Sequence, residues 1–583
     1  MARTTCVVVL VSALALSLSF VLGAAASAGD VSPTPSPVAV ASPTVTPDST
    51  SGADAAIAVA NSSTPDPSDQ APSGITPTKV SLAQVLRAYK TSEGKPAKPV
   101  STVREVDAIS AYGETGTETY ARSGDDYVDT TQLGPTTTSN GSNHGKRWEQ
   151  NENGYTNALT GMHPEEELSS GALSKAEHGE NIDTVHLLGT VTTPVNAYVV
   201  EVAPKGGRHE WLFFDTTSGR LVRREASRTG HRLIWTYDDF RTTDGTTESW
   251  HEHFSDGFVG NDVDTTTTTL QLGAAVSPAD VAMPQSRSPL HFPAGVTDVR
   301  LPARIEYGVI IVRLTINGRG LDFQLDSGAS NIVIDADVAR QLGLQTFGQR
   351  TQAVAGDFQA SDAIVPQIQI GQLTMSNVSV HCLPFASSWD DHTKIVGLLG
   401  YDFLAGAVVK VDYLNQTVDA YDYSAFKTPP GQTFQVPIRL DDDVPVATAQ
   451  VGSGSTGQFI IDTGSFAVLV FPSFVTANEH DLLDFGYSEG SRTFYPVVTS
   501  QGVGGEVSLM PLQASTFRFA TVGFNDFTVL DAIRAQSDFK DEDLDGLIGH
   551  TLLKYFDVYF DYRDSMLILQ PNKLLVLRVL SSQ

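Results

Sequence analysis

Leu321-Asp322-Phe323-Gln324-Leu325-Asp326-Ser327-Gly328 and Gln458-Phe459-Ile460-Ile461-Asp462-Thr463-Gly464 are two versions of one phrase. Each is an apolar strand ending in Asp-[Ser/Thr]-Gly, and each leads into a second apolar run, Ile332-Val333-Ile334 and Ala467-Val468-Leu469-Val470-Phe471. A carboxyl group delivered at the end of a buried strand has its proton affinity altered by its surroundings, which suits acid-base chemistry.

The phrase sits in a repeated plan, and repetition is the first thing to test in a long chain. In the first copy one strand, Arg304 to Ile316, turns at Asn317-Gly318, a strong two-residue hairpin signal, and a helix follows over Ala336 to Leu344. In the second, Val444 to Val451 turns through Gly452 to Gly457, and the helix is expected over Ser473 to Glu479. Each copy then has an apolar-glycine run: Gly397-Leu398-Leu399-Gly400-Tyr401-Asp402-Phe403-Leu404 and Gly546-Leu547-Ile548-Gly549-His550-Thr551-Leu552-Leu553. A final hairpin closes each, Ala407 to Tyr413 with Thr417 to Tyr421 and Phe556 to Tyr562 with Met566 to Leu569.

An Asp-[Ser/Thr]-Gly loop paired with a downstream apolar-apolar-Gly strand resembles the retropepsin-like and pepsin-like aspartic peptidases, with both lobes in one chain over about residues 299–575. The resemblance implies a mainly β, bilobal β-barrel fold, with lobes at 299–428 and 432–575. Glycine is needed in the second strand because it passes too close to the catalytic loop for a side chain. It makes Asp326 and Asp462 the catalytic pair, with Ser327 and Thr463 locking the two loops and Gly328 and Gly464 letting the backbone pass close. Ser465 follows the second glycine, as in pepsins, whereas Ala329 follows the first, as in retropepsins. The missing hydroxyl leads us to expect activity at less extreme acidity than a gastric enzyme shows. Two carboxyls about 3 Å apart share one proton and activate a water against a peptide bond, with no metal and no cofactor. An extended polypeptide substrate would lie under flap hairpins at Val354-Ala355-Gly356-Asp357 and Gln501-Gly502-Val503-Gly504-Gly505. The first flap lacks the pepsin tyrosine and is closer to the retroviral pattern.

The 583 residues exceed one core, and the net charge of −29 argues against nucleic acid as a partner. Met1 to Ala28 reads as a secretory signal, with Ala26-Ser27-Ala28 as its cleavage site, so the protein is expected to be exported to the periplasm or beyond. An uncleaved anchor is the alternative; after cleavage no membrane insertion is expected. Residues 29–78, rich in Pro, Ser and Thr, read as a disordered linker. Cys382 is then the mature chain's lone cysteine and reads as core. With both lobes in one chain, a monomer is expected.

Residues 79–284 read as a separate β-rich accessory domain, opening with a helix over Leu82 to Tyr89 and continuing with strands such as Ala197 to Val202 and Glu210 to Asp215. Helix followed by meander is similar to the half-barrels of bacterial lipoprotein carriers. Eight Lys or Arg against five Asp or Glu between Lys205 and Arg241 read either as a solvated sheet face or as a clamp on the acidic half, and a clamp predicts that deleting residues 79 to 284 raises activity. His251 and His253 share a strand face that could hold a metal, but no third ligand is nearby. Gly486-Tyr487-Ser488-Glu489-Gly490 is a chance nucleophile-elbow match, and Asp541 to Gly546 opens like a calcium loop without its terminal glutamate. Two further readings are a non-catalytic peptide- or ligand-binding protein on the same fold, and a carrier of apolar ligands through the N-terminal domain.

Overall fold

The computed structural model describes residues 70–96, 98–158, 172, 182–204, 209–228, 231–258, 260–353, 357–385, 387–388, 394–452, 454–484, 498–502, 505–532 and 544–581. The expected signal and most of the linker lie outside these, as do the nucleophile-elbow match and Asp541 to Asp543. No helix among the described residues is long and apolar enough to cross a membrane. Strands dominate throughout.

The N-terminal part is a thirteen-stranded antiparallel sheet. Six strands meander outward from Thr102–Ala111 to Thr156–Ala158. The chain then crosses to the other edge and meanders back from Val185–Val191 to Val263–Leu272, which pairs with the first strand. The helix Leu82–Glu93 starts at a capping box, Ser81 with Gln84, and lays Val85 against Val200, Leu212 and Phe214. The expected linker ends early: Thr76 bridges to Thr190, and Ile75 packs beside Trp211 and Phe213.

Of the basic residues read as a solvated face or a clamp, Lys205 and Arg208 lie outside the described residues, and several others are engaged within their own sheet. Arg224 pairs with Glu210, and Arg223 and Arg232 share Glu225. His251 and His253 likewise meet Asp238 and Asp264 on neighbouring strands.

From residue 290 on, the two copies build two sheets with corresponding strand order. Burial follows the same pattern along Val309–Ile316 and Val444–Val451, residue for residue. In each, the strand before the acid pairs in parallel with the glycine strand, Leu325 opposite Leu399 and Ile461 opposite Ile548. A third, six-stranded sheet joins the copies through Val408–Asp412 and Phe556–Asp561, with Val411 opposite Val558. Large side chains such as Phe323, Phe403, Phe459 and Phe517 are fully buried, each contributing roughly 1.5–3 kcal/mol. Cys382 lies in the same core, where burial pushes its thiol up to about 12.

Arg304 to Ile316 is not one strand but two. Tyr307 and Gly308, at φ 52° and 92°, form a tight turn that pairs Glu306 with Val309. The helices are also shorter than expected, Ala336–Gln341 and Pro472–Ala477.

The N-terminal part also makes contacts with the repeats. Tyr155, at the start of its sixth strand, belongs to the same apolar cluster as Phe403 and Val411. Asn153 exchanges two hydrogen bonds with the backbone of Ser379, and Asn261 does the same with Thr351. Thr351 lies on the strand Thr346–Ala353 that leads to the first expected flap.

Candidate active site

Each acid stands where its strand leaves the sheet. The backbone N–H of Asp326 donates to Leu399 O at 3.1 Å, and that of Asp462 to Ile548 O at 3.0 Å. Gly328 N donates to Asp326 Oδ1 at 3.0 Å and Gly464 N to Asp462 Oδ1 at 2.7 Å, so each carboxyl is held by its own loop.

The hydroxyls cross between the copies. Ser327 N donates to Thr463 Oγ1 and Thr463 N to Ser327 Oγ, both at 2.9 Å. Ser327 Oγ donates onward to Ile461 O at 2.6 Å and Thr463 Oγ1 to Leu325 O at 2.9 Å. These four bonds tie each loop to the strand that carries the other acid. Gly464 passes so close that an added Cβ would lie 2.5 Å from Asp326 Oδ2, which excludes any side chain there. Glycine is required again at Gly400 and Gly549, where a Cβ would fall 2.4 Å from Ala329 O and from Ser465 O respectively.

Both carboxyls are wholly buried, at 0 % exposure, and they are close enough to act on one another's ionisation. Burial raises the Asp462 carboxyl well above the ordinary range. The charge of Asp326 adds to the shift, against the backbone N–H groups of Gly464 and Ser465. Asp462 Oδ2 is buried with no hydrogen-bond partner among the described residues. The Ser465 hydroxyl donates to Ala467 O at 3.0 Å, so the serine meets its acid through its backbone rather than through its hydroxyl. Lack of a hydroxyl at Ala329 therefore removes less support from Asp326 than expected, and the expected shift towards milder acidity loses its stated cause.

Of the expected flap residues, Gly356 and Gly504 lie outside the described residues. Gly502 pairs with Gly505 at the end of the hairpin Val498–Gly502 with Gly505–Phe519. Among the described residues no group of three or more His, Cys, Asp or Glu is placed to hold a metal ion.

Several neighbours of the pair escaped the sequence reading. Gln324 Nε2 donates to Gly464 O at 3.0 Å. Asp402 Oδ2 accepts from Ile332 N at 3.1 Å, while burial and then the charge of Glu152 push its carboxyl up to about 7. Tyr562 OH reaches Ser327 O at 3.5 Å, and its repeat mate Tyr413 is buried under the influence of Asp462. The signal was present: Asp-Tyr ends the same strand in both copies, at Asp412-Tyr413 and Asp561-Tyr562.

The family described as "Aspartyl protease" matches residues 312–403. Among solved structures, the aspartic proteinase from Irpex lacteus aligns with 47 % of this chain and 98 % of its own, at 13 % identity and a TM-score of 0.31. No curated protein sequence matches the chain. The stretch holding the first acid, its loop and its glycine strand is thus aspartyl-protease-like in sequence, within a mainly β molecule.

Proposed function

We propose that this protein is an exported aspartic endopeptidase, its two repeats forming the two lobes of one catalytic unit around Asp326 and Asp462. What carries the reading is the crossed set of hydrogen bonds through Ser327 and Thr463, which ties together the loops of two buried carboxyls that act on one another. The aspartyl-protease match over the first repeat supports it, and Met1 to Ala28 supports export.

The chemistry follows from this pairing of buried carboxyls. Two buried carboxyls in contact hold one proton between them, because ionising both would place two unscreened charges together. With that proton on Asp462, Asp326 is the ionised member of the pair. Asp326 then takes a proton from a water bound at the pair, and that water attacks the peptide carbon. Asp462 donates its proton to the carbonyl oxygen, giving a tetrahedral diol. Asp326 then passes its proton to the nitrogen while one diol hydroxyl returns a proton to Asp462; the C–N bond breaks to give acid and amine, and the pair again holds one proton. Such transfers contribute roughly 10²–10⁴-fold each. The hairpin ending at Gly502 and Gly505 is the candidate cover for an extended substrate.

Incubating the full chain with an unstructured peptide mixture at mildly acid pH, with and without a statine-containing peptide inhibitor, tests the proposal. Internal cleavage that the statine abolishes is expected. No cleavage at any pH, or cleavage indifferent to the statine, overturns it.

A further inference from the structure

Tyr155 and Asn157, at the sixth strand of the N-terminal sheet, reach into the rest of the molecule. Asn157 Nδ2 donates to Tyr401 OH and to Asp443 Oδ1, both at 2.6 Å. Tyr401 follows the glycine strand of the first repeat and Asp443 sits in the turn before the strand Val444–Val451 of the second, so one amide spans both repeats. Tyr155 OH donates to Asp402 O at 2.8 Å and lies 2.8 Å from Ser288 Oγ.

The path continues inward through rings. Tyr155 and Tyr401 meet edge to face at 5.5 Å and 70°, and Tyr401 meets Tyr562 in the same way, at 5.5 Å and 70°. Tyr562 OH then reaches Ser327 O at 3.5 Å, inside the loop that holds Asp326. Tyr155 is 4 % exposed and Tyr401 1 %, so neither ring has solvent into which to relax. In a close-packed interior a displaced ring moves its neighbour.

We propose that Tyr155 and Asn157 are positioning residues for the two acids, acting through Tyr401 and Tyr562; this rests on the peptidase reading above. The N-terminal sheet is accordingly part of the catalytic scaffold and not a removable cover. Small misplacements of catalytic groups cost up to about a hundredfold in rate, so a loosened ladder lowers turnover and leaves substrate binding at the flaps intact.

The test uses the full chain carrying Asn157→Ala, Tyr155→Leu or Tyr155→Phe, with competent sites counted by titration with a tight statine inhibitor. For Asn157→Ala and Tyr155→Leu, kcat per titrated site is expected to fall on the order of tenfold or more, with KM unchanged. Tyr155→Phe keeps the ring and is expected to retain most of the turnover. Fewer titrated sites with an unchanged kcat per site would mean only a folding defect, and would overturn the proposal. The carboxyl titration of Asp326 and Asp462, followed by 13C NMR of labelled aspartate, needs no turnover. It is expected to move in Asn157→Ala and Tyr155→Leu, and a titration unmoved in both overturns the proposal even if the wild type cleaves nothing. A moved titration in a wild type without cleavage keeps the coupling and removes the peptidase reading instead.

Discussion

The first repeat is braced from outside and the second is not braced in the same way. Around Asp326 the strand carries Gln324, which bonds across to Gly464, and the helix after the glycine strand carries Asp402, which holds Ile332 N. The N-terminal sheet bonds to that same helix through Tyr155 and Asn157. In the second repeat Ile460 stands where Gln324 does, and Thr551 where Asp402 does. Thr551 Oγ1, His550 Nδ1 and Asp462 Oδ2 are all buried without hydrogen-bond partners among the described residues. A duplicated backbone thus supports two unlike environments. Burial and then the charge of Asp326 raise the proton affinity of Asp462, against the backbone N–H groups of Gly464 and Ser465.

The comparison is sharpest where the repeats are most alike. Removing either crossing hydroxyl, by Ser327→Ala or Thr463→Ala, strands a buried N–H and a buried carbonyl. We expect each to cost about 2–4 kcal/mol in urea unfolding, and by similar amounts in the two repeats. A loss confined to one of them would break the symmetry argument. Gly400→Ala and Gly549→Ala each drive a Cβ into backbone oxygens, and both are expected to destabilise by about 1–3 kcal/mol in the same assay.

The repeats should part in their response to pH. Asp402 has its carboxyl raised to about 7, so its contribution is whole below about pH 4 and is lost as pH rises towards 7. His381, in the first repeat beside Asp362, points the same way. Against the effect of burial, the Asp362 carboxylate raises it to about 9, so its contribution fades between about pH 6.5 and 9. His550 runs in reverse. Burial, and then the charge of Lys554, lower it to about 4, so its contribution is present above about pH 6.5 and fades as pH falls to 4. Thermal unfolding across this range should therefore show Asp402→Asn flattening the decline on the alkaline side, and His550→Gln flattening the decline on the acid side. Unchanged profiles in both variants would contradict the assignment. The smaller shift is expected for His550, which is less completely buried.

Much of the repeated half was legible in the sequence because its signals are local. An apolar strand, an acid, a small hydroxyl and a glycine stand within eight residues, and the glycine strands are forced by close backbone approach at Gly400 and Gly549. The break at Tyr307-Gly308 was not legible, because the apolar run Val309 to Val312 directly after it hides a turn in which a tyrosine adopts positive φ. The first six strands of the N-terminal sheet were also missed. Thr136–Asn143 reads Thr-Thr-Thr-Ser-Asn-Gly-Ser-Asn, and a strand with no apolar alternation has no sequence signature of its own. Nor does sequence announce that Asn157 will meet Asp443, 286 residues away. Such a contact depends on tertiary packing alone.

That the two acids form one unit is tested most directly by cleavage rates of the full chain with Asp326→Asn, Asp462→Asn and both together. Each single change is expected to lower the rate about a thousandfold or more, and the double change is expected to do no further harm. If either single variant keeps most of its rate, or if the two losses multiply in the double variant, the acids act separately and the shared-proton account is wrong.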